Sequence, residues 1–172
     1  MINDTDDNKR QEHRRRIHAV RARRVRPALF LAEQQRLYDA CLPMWPTERL
    51  VLALLLEMGL RLREVCSLTF DYLQPGALSV CGKDGCVRTA LLGAETQRAL
   101  DRYLAGAWPR FRRREDERAA LVNLDAAQLI DVVRSLGQRA GLEHTLSVHD
   151  LRRAAILRAR AAYRAEKASD DK

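Results

Sequence analysis

No apolar run in this 172-residue chain approaches the ~20 residues needed to span a bilayer. The amino terminus, MINDTDDNKRQEHRRR, also lacks the apolar core of a signal peptide. A cytoplasmic protein without a membrane partner is the expectation. The 4 cysteines, Cys41, Cys66, Cys81 and Cys86, include no CxxC pair, so reduced, partly buried thiols fit better than disulfides or zinc. Cys81 and Cys86 could approach across a hairpin, but without nearby histidines they make no metal site. Internal repeats are absent too, and the length suits one domain with a real core plus a tail.

What the chain has is positive charge. Lys and Arg outnumber Asp and Glu by 31 to 23, a formal charge of +8, which favours an acidic partner such as nucleic acid. A merely solvated basic surface would show the same excess, so charge alone does not decide. Residues 1–26 carry nine of the basic residues against four acidic ones and few that could build a core. They read as a basic mobile arm, with Arg14, Arg15, Arg16, Arg21, Arg23 and Arg24 available for phosphate contact, or as a solubilising extension.

From Pro27 the composition changes, and a domain is expected over 27–168 with a polar tail at 169–172. In LFLAEQQRLYDACL, Leu31, Gln34, Leu37, Tyr38 and Cys41 fall at helical spacing. Pro46 suits a first helical turn, and TERLVLALLLEMG is apolar nearly all round, as in a central buried helix that stops at Gly59. LRLREVCSLTF is a shorter helical piece. The period then switches to two: Leu78 and Val80 alternate on one side of the turn GKDGC, and Val87, Thr89 and Leu91 on the other. Residues 77–92 therefore read as a hairpin with Lys83 at its tip. GAETQRALDRYLAGA is an amphipathic helix, and WPRFRRREDERAA a polar connection or short helix anchored by Trp108 and Phe111. Asp125 can cap a helix that closes at Gly141, and Ser147 can form a capping box with Asp150 at the start of the last helix. The fold class is α+β, mostly helical, with a small antiparallel hairpin or sheet.

Four groups stand out by context. Arg61 follows Gly59 at the end of the most apolar helix, where a charge needs an anion or the Glu64 carboxylate three residues on. His149 and Arg152 share a helix face, and His149 lies in the first turn, where free backbone N–H groups and the dipole attract phosphate. A histidine there can donate a hydrogen bond or move a proton; it can equally be a polar helix-start residue.

The order of the pieces, Gly59-Leu60-Arg61 with Glu64, then Gly82-Lys83 with Arg88, then His149-Asp150-Leu151-Arg152, resembles the catalytic domain of the tyrosine recombinases, the phage-integrase family, over about residues 29 to 160. In that family a tyrosine attacks a DNA phosphate and leaves a 3′-phosphotyrosine, with no metal or other cofactor. The resemblance implies Arg61 and Arg152 as clamps on the non-bridging oxygens, Lys83 as proton donor to the leaving 5′-oxygen and His149 as proton-transfer partner. Glu64 would brace Arg61, while Arg88 and Arg153 would join the arm on double-stranded DNA, in recombination or integration of a mobile element.

The match breaks at the nucleophile. The family continues with a second His or Trp, usually in an LGH-like stretch, and then the tyrosine on a further helix; here 23 residues follow His149 and contain no LGH. Tyr163 lies 11 residues past Arg152 with no Pro or Gly between to fold it back. On one helix that is about 16 Å along the axis, whereas a nucleophile must come within ~3.5 Å of phosphorus. Tyr163 thus reads as a packing or helix-end aromatic. The expectation is a recombinase-like DNA-binding protein that keeps the phosphate set but lacks the nucleophile. It would act with a full-length recombinase or a second copy on DNA, and as a monomer or weak dimer without it. An active recombinase, a fragment of one or one given its tyrosine by a partner, is the alternative. A helical interaction module is a third reading, and it requires the four groups to point into separate regions.

Overall fold

The computed structural model describes residues 28–82, 85–111 and 119–170. Among these residues six helices surround one core, in the order α1 (Leu31–Asp39), α2 (Pro46–Leu56), α3 (Leu62–Cys66), α4 (Ala94–Phe111), α5 (Ala126–Arg139) and α6 (Val148–Asp170). Between α3 and α4 lie a 3-10 turn (Phe70–Tyr72) and three strands, β1 (Leu73–Gln74), β2 (Ala77–Cys81) and β3 (Val87–Leu91).

The spine is α2. Its leucines at 50, 52, 54, 55 and 56 are all buried, so the helix has no broad solvent face, and it packs on α4, α6, α3, α1 and α5. Each fully buried leucine contributes about 2 kcal/mol of burial free energy, which makes this short segment the largest apolar investment in the fold. Pro46 stands in its first turn, and the chain leaves it through Gly59 at φ 64°. There the Leu60 N–H reaches back to the Leu54 carbonyl at 3.1 Å, a closure one residue wider than a Schellman turn and built on the left-handed residue. Gly141, at φ 63°, ends α5 with a Schellman bond, the Leu142 N–H to the Gly137 carbonyl at 3.0 Å.

The caps form as their residue types dictate. The Asp125 carboxylate accepts from the Gln128 N–H at 2.9 Å, and Gln128 Oε1 accepts in return from the Asp125 N–H. At the head of α6 the Asp150 carboxylate accepts from the Ser147 N–H at 3.0 Å, and the Ser147 hydroxyl accepts from the Asp150 N–H at 3.3 Å.

The strands form one antiparallel sheet in the order β1-β2-β3, with Val80 opposite Arg88 and Cys81 opposite Val87. Four details differ from the sequence reading. Strand β1, two residues long, extends the expected hairpin to a sheet. Strand β2 is buried on both faces, since Ala77 and Ser79 are covered as well as Leu78 and Val80. Leu31 opens α1 on its exposed side, because the helix begins there and Gln34, Leu37, Tyr38 and then Cys41 turn inward. Finally, α4 runs on through Pro109 to Phe111, past the expected boundary. The side chains of Trp108 and Phe111, like residues 112–118, lie outside the described residues. After them the chain returns beside α3, where the Leu121 N–H donates to the Leu68 carbonyl at 2.7 Å and the Tyr103 hydroxyl donates to the Leu121 carbonyl at 2.6 Å. The cysteines are all free thiols, with Cys41 buried and Cys86 exposed.

Candidate functional site

The left-handed turn at Gly59 aims the chain so that Arg61 becomes the residue before α3. Its N–H donates to Glu64 Oε2 at 2.7 Å and its guanidinium to Glu64 Oε1 at 3.0 Å, so the carboxylate holds both ends of one residue. Strand β3 brings a second arginine to the same carboxylate. Arg88 Nη1 and Nη2 bind Glu64 Oε1 and Oε2 at 2.9 and 3.2 Å, a bidentate fork. A third comes from α6: Arg152 Nη1 stands 4.0 Å from Glu64 Oε2 and donates to the Gly59 carbonyl.

Three guanidiniums therefore share one carboxylate. The Glu64 side chain is only 4% exposed, against 53% for Arg61, 46% for Arg88 and 25% for Arg152. Burial alone would raise the Glu64 pKa; hydrogen bonds from Arg88 and from the Arg61 N–H overcome it and hold the carboxyl at about 2, well below its ordinary 4.5. Arg88, hydrogen-bonded to Glu64, is pushed above the usual arginine value. Arg152 is displaced the other way, by burial and by the Arg61 guanidinium, with Glu64 only partly offsetting them. It stays charged at any pH of interest, but its environment is short of negative charge.

The arginines open onto a depression of about 460 Å³ lined by Glu57, Gly59, Arg61, Arg88, Arg152, Ala155, Ile156 and their neighbours. Glu57 has another task, since its carboxylate caps α4 by accepting from the Thr96 N–H at 2.6 Å and hydroxyl at 2.5 Å. Counting Glu64 alone, the arginine group carries a net charge of +2. An open, basic hollow whose arginines are braced by a fixed carboxylate suits a tetrahedral oxyanion whose oxygens can take paired N–H donors.

Of the residues singled out in the sequence, Arg61, Glu64, Arg88 and Arg152 meet here. Arg88, expected among the DNA contacts, lies in the pocket as the bidentate partner of Glu64. Its sequence signal is its place after the Gly82-Lys83 turn, as a lone charge in an otherwise neutral strand. His149 is exposed in the first turn of α6, one turn before Arg152, and is not among the residues lining the hollow. Arg153 follows Arg152 on the same helix. Lys83 and the arm residues Arg14, Arg15, Arg16, Arg21, Arg23 and Arg24 lie outside the described residues. Of the two readings of Tyr163, packing aromatic or helix-end aromatic, its exposure goes with the second. It is 67% exposed, on a helix unbroken from Val148 to Asp170. Among the described residues no group of three or more His, Cys, Asp and Glu could hold a metal ion, and no helix is long and apolar enough to cross a membrane.

A mostly helical domain with a three-stranded antiparallel sheet and arginines gathered at one helix end has the architecture of a tyrosine-recombinase catalytic core. Residues 29–160 match the phage integrase family, and the chain belongs to that family. Among solved structures it is similar to XerA recombinase, with a TM-score of 0.63 and 20% identity over 77% of this chain and 48% of that one. It is also similar to a lambda integrase dimer (residues 75–356) bound to a COC′ core site, with a TM-score of 0.57 and 17% identity over 75% and 50%. The lambda integrase catalytic core superposes with a TM-score of 0.55 and 20% identity over 76% of this chain and 81% of that one. The chain thus spans about half the length of the first two. No curated protein matches it in sequence.

Proposed function

We propose that the chain binds duplex DNA as the phosphate-holding part of a site-specific recombination system, in the cytoplasm, and does not itself supply the attacking tyrosine. The observation that carries this reading is the meeting of Arg61 and Arg152, 91 residues apart, at one buried carboxylate beneath an open basic hollow. In such a site the two guanidiniums and Arg88 would hold the non-bridging oxygens of a phosphodiester and stabilise the charge that builds on them during displacement. Glu64 would fix their directions. Lys83 would protonate the leaving 5′-oxygen, and His149 would move protons at the rim of the hollow.

The chain has 4 tyrosines, and the geometry of each supports the second half of the proposal. Tyr38, Tyr72 and Tyr103 belong to the core or pack against it, and none lines the hollow. Tyr163 is carried about 16 Å along the axis of α6 beyond Arg152. In this reading the hydroxyl in line with the phosphate comes from outside these four tyrosines, from a full-length recombinase or another copy on the same DNA, and the chain takes an accessory or regulatory role.

Nicked suicide duplexes of a cognate or palindromic site, followed by denaturing gels, test this. The expected result is no covalent protein–DNA band with the chain alone. A band that disappears in Tyr163→Phe would show an active recombinase and overturn the proposal. Arg61→Ala and Arg152→Ala are each expected to weaken duplex binding and lower the salt slope by up to about 1. Unchanged slopes in both would remove the pocket from DNA binding.

A further inference from the structure

Helix α6 divides into a docked and a projecting part. Leu151, Ala154 and Ala155 are buried, and Arg158 ties the helix to the body through Gln34 Oε1 at 3.1 Å and the Leu56 carbonyl at 2.7 Å. Every residue from 156 to 169 is exposed, and past Ala159 the helix continues outward with nothing covering it among the described residues. At ~100° per residue, Arg160, Arg164 and Lys167 fall within an arc of about 60°, and Arg153, next to Arg152 in the chain, falls on the same line.

The composition of this projection is unlike that of an ordinary solvated face. Between 156 and 169 its one acidic residue, Glu166, lies about 130° from the middle of the stripe. Neither Arg160 nor Arg164 has an acidic neighbour three or four residues away; Asp170, three residues past Lys167, comes only at the helix end. Arg160 and Arg164 are instead like charges at i and i+4, and Arg164 and Lys167 at i and i+3, spacings that destabilise a helix in the absence of an anion. Alanines at 159, 161, 162, 165 and 168 keep the helix intrinsically favourable and its profile narrow. The apolar residues Ile156, Leu157 and Tyr163 are too few for the broad face by which an interfacial helix enters a bilayer. Tyr163 falls on the line of Arg152, Ile156 and Ala159 that borders the hollow, directly beside the stripe.

We infer that the projecting half of α6 is a second anion surface, a track on which the sugar-phosphate backbone of duplex DNA lies as it leaves the arginine hollow. This rests on the reading of that hollow as a DNA-phosphate site, and it assigns Arg160, Arg164 and Lys167 as backbone contacts and Tyr163 as an aromatic flank against a sugar. The commitment to DNA over an acidic protein follows from continuity, since the same helix lines the hollow and carries the track. Contacts of this type position a duplex without reading its bases.

Fluorescence anisotropy of the full chain with two unrelated duplexes across a salt series tests the track. The triple variant R160A/R164A/K167A keeps helix propensity and is expected to bind both duplexes several-fold more weakly, with the slope of log K against log salt reduced by about 2 to 3. The double variant R160K/R164K should keep the wild-type slope, because a point charge suffices for a phosphate. Unchanged affinity and slope in the triple variant would overturn the inference. So would weakening on one duplex only, or a loss of binding to anionic phosphatidylserine vesicles with duplex binding intact. If R61A/R152A binds duplex normally while the triple variant does not, the hollow fails as a phosphate site and the track stands alone.

Discussion

The protein builds two clusters in which a glutamate gathers arginines, and they behave differently. Glu95, at the start of α4, accepts from Arg49 at 2.7 Å and from Arg98 at 2.7 Å. Glu64 accepts from Arg61 and Arg88 and has Arg152 at its edge. Burial opposes the ionisation of both carboxyls, and their arginine partners nevertheless hold both below the ordinary pKa. At Glu95, however, a second carboxylate, Glu57, which also borders the hollow, bonds to the neighbouring backbone, so two acids stand near two arginines. At Glu64 three arginines face one carboxylate, which is 4% exposed against 18% for Glu95. An arginine cluster becomes a site when its charge is left unbalanced over a concave surface, and is bracing when it is balanced.

Breaking the central carboxylates is the strongest way to test that contrast. Glu64→Ala removes the shared partner of a half-buried group of like charges and should cost about 3 kcal/mol, a fall of about 6 to 12 °C in Tm by calorimetry. Glu95→Ala should cost about 1 kcal/mol and leave duplex affinity unchanged. Equal losses in the two variants would erase the distinction.

Acid provides a graded version. The folded Glu64 carboxyl titrates at about 2 and the ordinary one at 4.5, so its contribution to stability is complete above pH ~4.5 and is lost as the pH falls through 2. Urea unfolding between pH 7 and 2 should therefore show an acid limb that Glu64→Gln flattens more than Glu95→Gln does. The smallest effect is expected at the rim of the balanced cluster: Arg98→Ala should alter neither unfolding nor the salt dependence of DNA binding, while Arg88→Ala alters both.

Features that depend on neighbours in the chain are legible in the sequence itself. The Asp125 cap, the Ser147–Asp150 box, the stop at Gly59 and the Arg61–Glu64 pair all span three or four residues, and side-chain chemistry at that range fixes geometry. Strand β1 is not legible, because two residues carry no period and form a strand only by meeting β2. Nor is the Arg88–Glu64 fork, which joins positions 24 apart through the sheet's register. The distance of Tyr163 from Arg152 follows from helix rise, but its exposure does not, since a sequence shows a helix's faces without showing where its packing partners end.

The bond from Arg152 to the Gly59 carbonyl, with the Ala155 methyl 3.2 Å from where a Gly59 Cβ would stand, also sets a timetable. Ribosomes add about 5 to 20 residues per second, so Arg152 is made on the order of 5 to 20 seconds after Arg61. During that interval Arg61 and Arg88 can already meet Glu64, with one net positive charge between them. Helix α6 docks against Gly59 and brings the second, so the charge of +2 on the arginine group is complete only once α6 is in place.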